Sequence, residues 1–277
     1  MSGIAITRRT VKNTVSLSGR GLHGGEPVDV RIHPGDEGIA FRLGNRRFAA
    51  IPENVTDTTR CTRLGEISTI EHAMSAMAGL EVTDAEIELS APELPGLDGS
   101  AKEYVQAIRA IGLKEIGTTH VYPPFKRVFL QEEPVSLAAA KGEGHWRYEY
   151  LTGDRWPGSQ VFESEHVAES YAKDIAGART FALVEELPFI KQMGLGQGLD
   201  ESSALILGNA GYENVARFED EPARHKLLDL IGDLYLSGIP MRLLNVVAVR
   251  SGHRLNVAFA KQLAEASRRA AALAERE

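Results

Sequence analysis

The first quarter of the chain alternates apolar and polar residues. In the segment from Pro27 to His33, Val28, Val30 and Ile32 fall on one side and Asp29, Arg31 and His33 on the other, the period of a strand with one buried face. Thr14–Ser18, Ile39–Leu43 and Thr59–Leu64 read as further strands, with Gly- and Asp-rich turns between them. The period then changes. Ile70, Met74, Met77 and Leu80 recur at helical spacing, Glu86–Leu89 returns to strand, and Tyr104–Ile111 is helical again. At His120–Pro124 a double proline cannot continue a helix and favours an extended linker. The expected division is an N-terminal domain over residues 1–121 and a C-terminal domain over residues 125–277.

The second half repeats the theme. Arg127–Leu130, Val135–Ala139 and Trp146–Tyr150 read as strands, and Ala204–Leu207 and Leu244–Val249 as buried strands. Helices are expected from about Ala223 to Leu236 and from about Ala258 to Glu275. Strands first, then two helices, in each half predict an α+β duplication: two similar domains, each a sheet covered by a helix pair.

Composition narrows the class. Of 277 residues, 43% are hydrophobic and 25% charged, which excludes disordered, collagenous and coiled-coil chains. A chain of this length buries roughly three quarters of its unfolded surface and folds without disulfide or metal staples. The 31 Lys and Arg against 38 Asp and Glu give a net charge of −7, which argues against a nucleic-acid partner or an anionic membrane surface. An RNA-binding module is further disfavoured by the lack of clustered basic and aromatic residues. Cys61 is the only cysteine, so no intrachain disulfide forms and a reducing compartment is expected. The N-terminal residues lack a secretory apolar stretch, and no apolar run reaches the roughly 20 residues of a transmembrane helix. A cytoplasmic, soluble protein follows as the expectation.

The helix from Ala223 carries the clearest chemistry. Leu227, Leu228, Ile231, Leu234 and Tyr235 make a wide apolar face, while His225, Asp229 and Asp233 follow at intervals of four along one polar stripe. That stripe is either a solvated surface with a weak exposed pair, or it faces a cavity. In the second case an imidazole nitrogen and a carboxylate oxygen point to one place, as a metal ion requires. His72 follows Glu71 near a helix start. Ser68 and Glu71 have the spacing of a capping box; alternatively, His72 is a ligand and Glu71 takes a proton from water. His253, in Ser251-Gly-His253, ends a buried strand. It is either a satisfied turn residue or an imidazolium oriented by a carboxylate such as Asp233. Gly19–Gly25 has phosphate-loop composition but leads into a strand, so it reads as a hairpin connection. Ser100 and Glu103 have the spacing of a second capping box, and Cys61 has no neighbouring Cys or His.

With Gly21-Leu-His-Gly24, Ser68-Thr-Ile-Glu-His72, Leu97-Asp-Gly-Ser-Ala101, Ala178-Arg-Thr-Phe181, the run from Arg224 to Tyr235 and Gly252-His-Arg-Leu-Asn256 in this order, the chain resembles the UDP-3-O-acyl-N-acetylglucosamine deacetylases of lipid A biosynthesis. The resemblance implies two similar α+β domains, each a mostly antiparallel sheet with a helix pair, with the helices packed between the sheets. It implies a monomeric zinc hydrolase that releases acetate from an acylated nucleotide sugar. His72, His225 and Asp229 would hold Zn2+, Glu71 would be the general base, His253 the acid and Asp233 its carboxylate partner. Thr180 would bond the tetrahedral intermediate, Lys226 and Phe181 would contact substrate, Cys61 would lie near the metal and His23 near the nucleotide end. Leu151–Pro157 and Gly196–Glu201 depart from the family pattern, which leaves a paralogous amidase for a different N-acetyl sugar as the alternative.

Overall fold

The alternation around Val30 becomes a strand in which Val28, Val30 and Ile32 are buried while Asp29 and Arg31 are exposed. The computed structural model describes residues 3–124 and 126–274. Residues 1, 125, 275 and 277, at which expected domain or helix limits fall, lie outside the described residues. The first half runs β1 (Ile4–Val11), β2 (Val15–Arg20), β3 (Pro27–Pro34), β4 (Ile39–Leu43), β5 (Arg46–Ala49), β6 (Val55–Asp57), β7 (Arg63–Leu64), α1 (Glu71–Gly79), β8 (Ala85–Leu89), α2 (Lys102–Ile111) and β9 (Leu113–Val121). The second runs β10 (Val128–Glu132), β11 (Val135–Lys141), β12 (Trp146–Leu151), β13 (Ser159–Ser164), α3 (Val167–Ser170), β14 (Phe181–Leu183), α4 (Leu187–Gln192), β15 (Leu205–Leu207), α5 (Glu221–Tyr235), β16 (Leu244–Val249) and α6 (His253–Ala274).

Each half builds one five-stranded sheet, ordered β2-β3-β8-β4-β5 in the first and β10-β11-β16-β12-β13 in the second. In both, the β4–β8 or β12–β16 pair is parallel and the other pairs are antiparallel. A parallel pair needs a crossover, and in each half a helix supplies it: α1 before β8 and α5 before β16. The two halves therefore share one topology, and the expected α+β duplication is borne out. α2 packs on β2, α5 on β12 and β13, α6 on β10, and α1 lies along α5. Helices thus fill the space between the sheets, and one apolar cluster runs through both halves. Residues Glu71–Ala78 of α1 are all buried, because the helix is covered on every side.

Several local expectations change. The strand read over Thr59–Leu64 shrinks to Arg63–Leu64, because Thr62 gives its backbone groups to α1 instead of a ladder: its N–H reaches Glu71 and its carbonyl Ile70. α5 starts at Glu221, with Pro222 in its first turn, and α6 starts at His253, five residues earlier than its apolar period suggests. β8 and β16 fall between the two helices of each half, where the periods at Glu86–Leu89 and Leu244–Val249 put them. Sequence reading missed β13 and the antiparallel β1–β9 ribbon, whose strands carry mixed polar residues. Ser68 and Glu71 form no capping box; Ile70 precedes α1 with no side-chain cap, and Glu71 points into the protein. Ser100 Oγ accepts the Lys102 N–H at 3.2 Å, but Ala101 is the cap of α2, again without a side-chain cap bond.

Candidate active site

Two helices from different halves bring the polar residues together. His72, the second residue of α1, and His225 and Asp229, one turn apart on α5, are all buried. Asp229 Oδ1 faces His72 Nε2 at 3.6 Å and His225 Nε2 at 3.5 Å, and it has no hydrogen-bond partner. Its second oxygen, Oδ2, accepts from Lys226 Nζ at 3.0 Å. His225 Nδ1 donates to the Ala178 carbonyl at 3.0 Å, which fixes the tautomer and leaves the Nε2 lone pair directed inward. The two imidazole rings stand nearly perpendicular, 5.1 Å apart. Burial pushes His225 down to about 4, so its ring is neutral. Although burial opposes ionisation of Asp229, the Lys226 ammonium beside it holds its carboxyl well below the usual range. The three inward ligand atoms lie within 4.8 Å of one another. Two buried imidazole nitrogens and an orphaned, buried carboxylate oxygen fit a divalent metal ion. His225 is the fifth residue of α5, one turn in from the helix start.

A second polar group adjoins this trio. Burial pushes the Glu71 carboxyl upward. Glu71 Oε2 accepts the Thr62 amide at 2.9 Å, and Oε1 lies 4.0 Å from His253 Nε2. The His253 Nδ1–H donates to Asp233 Oδ2 at 2.9 Å, while His253 Nε2 is 3.9 Å from Asp229 Oδ2. Burial alone would lower His253, but the Asp233 carboxylate outweighs it and the ring is pushed up to about 9. The backbone around the site is strained. Arg60, Thr69 and Arg250, each just ahead of a site segment, have φ of 64°, 64° and 56°. Left-handed non-glycine residues persist only where the surroundings hold them, and they gather at functional sites.

Residues 8–265 match the sequence model of the family described as UDP-3-O-acyl N-acetylglycosamine deacetylase. Three similar proteins carry the name UDP-3-O-acyl-N-acetylglucosamine deacetylase. That of Syntrophus aciditrophicus is 34% identical, over 93% of this chain and 86% of its own. That of Cellvibrio japonicus is 36% identical, over 91% of this chain and 88% of its own. That of Chlamydia muridarum is 35% identical, over 94% of this chain and 95% of its own. The chain belongs to this deacetylase family.

In this member of the deacetylase family a cavity of about 540 Å³ opens beside the polar group, and Thr180, Phe181, Lys226, His253 and His23 line it. Its other wall is apolar, with Leu187, Ile190, Leu195, Leu199 and Ile206. Thr180 is pinned through its backbone, its N–H to Gly99 and its carbonyl to Leu205. The Phe181 ring packs edge-on against Tyr150 and His225 and lies under Lys226, 5.6 Å from Nζ. The Cys61 thiol is pushed up to about 12 by burial, then by Glu71. Burial lowers His23, whose ring Nδ1 is unpartnered. The glycine-rich loop at 19–25 joins β2 to β3, and its amides cradle an internal anion: His23 N–H and Gly24 N–H donate to Glu93 at 2.7 and 2.9 Å.

Four residues that shape this site carry no signal in sequence spacing. Thr62 and Asn256 hold Asp233 at 2.6 and 3.0 Å. Arg179 and Glu221 form a buried pair that ties the Thr180 segment to the start of α5. Arg179 and Glu221 are 42 positions apart, a separation that only the fold closes.

Proposed function

We propose that the chain is a zinc-dependent N-deacetylase of the cytoplasm. It would hydrolyse the acetamide of UDP-3-O-acyl-N-acetylglucosamine and release acetate in lipid A biosynthesis. The observation that carries this reading is Asp229 Oδ1, a buried carboxylate oxygen without a partner that faces two imidazole nitrogens next to Glu71 and His253. His72, His225 and Asp229 would hold the ion. Bound there, zinc supplies Lewis acidity, acidifying water and polarising a carbonyl oxygen.

The protein's own groups account for the proton movements. Glu71 Oε1 is the free oxygen of a carboxylate whose other oxygen is fixed by the Thr62 amide, so it accepts a proton as water attacks the acetamide carbon. Burial raises its basicity. His253, kept protonated by Asp233, directs Nε2–H at the developing oxyanion, and the Thr180 hydroxyl approaches from the cavity wall. The proton then passes from Glu71 or His253 to the departing amine, and acetate leaves. Lys226 and Phe181 face the sugar, and His23 the nucleotide end. The apolar wall from Leu187 to Ile206 takes the acyl chain.

The test is acetate release by the purified protein from the acylated nucleotide sugar and, in parallel, from simpler acetamido sugars. The expected result is turnover of the acylated nucleotide sugar alone. Glu71→Ala should lower kcat by about 10²- to 10⁴-fold with metal content unchanged. Full activity of that variant would remove Glu71 from the mechanism, and turnover of the simple sugars alone would favour the paralogous amidase.

A further inference from the structure

Thr62 is wholly buried, and each of its polar groups reaches a different part of the site. Its N–H donates to Glu71 Oε2 at 2.9 Å. Its carbonyl accepts the Ile70 N–H at 3.2 Å, on the residue that leads into α1. Its hydroxyl donates to Asp233 Oδ1 at 2.6 Å and lies 3.3 Å from His253 Nδ1. Asp233 Oδ2 is already occupied by His253 and Asn256. Among the described residues, Thr62 therefore supplies the one hydrogen bond that Oδ1 receives, and it belongs to the half of the chain that does not carry Asp233.

We propose that Thr62 is a positioning residue that couples the proton acceptor on α1 to the His253–Asp233 pair on α6 and α5. This rests on the deacetylase reading above. The physical reason is that a buried carboxylate turns about its last side-chain torsion unless both oxygens are held. With Oδ1 released, only the bonds at Oδ2 restrain Asp233, and the imidazole bonded there moves with it as it turns about that oxygen. His253 Nε2 then leaves its place 4.0 Å from Glu71 Oε1. Misplacement of a reacting group by about 1 Å lowers rate by about 10²-fold. The contact to Glu71 is made by the backbone and survives any side-chain change at residue 62, so substitution isolates the hydroxyl.

The experiment compares the full-length, zinc-loaded wild type with Thr62→Val, which keeps the branched shape without the hydroxyl, and Thr62→Ser, which keeps the hydroxyl. Two quantities are read. One is kcat and KM for acetate release. The other is the downfield proton resonance of the His253 Nδ1–H, assigned by its loss in His253→Gln. Thr62→Val should lower kcat roughly 10- to 100-fold with KM within about twofold, and should shift or broaden the resonance; Thr62→Ser should restore both. An unshifted resonance with at least half of the wild-type kcat in Thr62→Val overturns the proposal. So does a Thr62→Ser variant as impaired as a folded Thr62→Val; where Thr62→Val fails to fold, loss of the wild-type kcat and resonance in a folded Thr62→Ser overturns it. If the wild type releases no acetate, the deacetylase reading fails, while the resonance still decides whether Thr62 positions His253.

Discussion

Gly232 on α5 approaches Glu71 on α1 so closely that a Cβ built on it would lie 2.1 Å from the Glu71 carbonyl oxygen. The obstacle is backbone, which cannot swing aside. Only glycine permits this helix crossing, and the crossing carries Glu71 and His72 on one side and His225, Asp229 and Asp233 on the other. Gly232→Ala should therefore destabilise the protein by about 1–3 kcal/mol through overpacking. It should also lower metal occupancy by spreading the ligands. Urea midpoints and metal content of the purified variant check both effects, and a variant with wild-type values of each would show that the crossing tolerates a side chain.

The buried pair of Arg179 and Glu221 offers a second prediction. Arg179 gives two bonds to Glu221 and one each to the Ser202 and Val215 carbonyls, and Glu221 also receives the Arg179 and Arg217 amides. Arg179→Met leaves a buried anion without its cation and should cost about 3–5 kcal/mol. Glu221→Gln leaves the Arg179 cation buried, but still bonded to the Ser202 and Val215 carbonyls and facing an amide oxygen, and should cost less. Chemical denaturation of the two variants ranks them, and the reverse order would refute this account of the pair.

Asp84 provides a prediction in pH. Burial raises its carboxyl, but Arg8, the Thr83 hydroxyl and the Gly38 amide outweigh that and hold it below the usual value. The folded state therefore binds its proton less readily than the unfolded chain does. The contribution of Asp84 is complete above the unfolded value of about 3.9 and disappears as pH falls through the lower folded value. Asp84→Asn should be less stable than wild type at pH 7, and the gap should narrow as the pH drops below about 4. Equal acid sensitivity of the two proteins in urea titrations across that range would contradict the assignment.

How far the sequence could be read depends on how local each determinant is. Val28, Val30 and Ile32 announce β3 because a strand with one dry face must alternate, and the α5 pattern announces a helix for the same kind of reason. The i, i+4 spacing of His225 and Asp229 marks them as a pair, but nothing in it says that α1 will cover them and turn a surface stripe into a dry cluster. β1 and β9 escaped notice because their pairing joins Ile4 to Val121 across most of the first half, and their residues alternate weakly. Thr62 looked like strand because its polar groups find partners only once α1 and α5 have packed. The Gly19–Gly25 loop was legible as a connection, but not the carboxylate of Glu93 that its amides hold.

The proposed chemistry stands on one divalent ion held by residues from both halves of the chain. Metal stoichiometry of the purified protein, measured beside His72→Ala, His225→Ala and Asp229→Ala, tests it most directly. The expected result is one zinc per wild-type chain, a drastic loss of bound metal in each variant, and acetate release that ends on chelation and returns when zinc is restored. A full complement of metal in those variants, or hydrolysis that persists in thoroughly chelated protein, would contradict it.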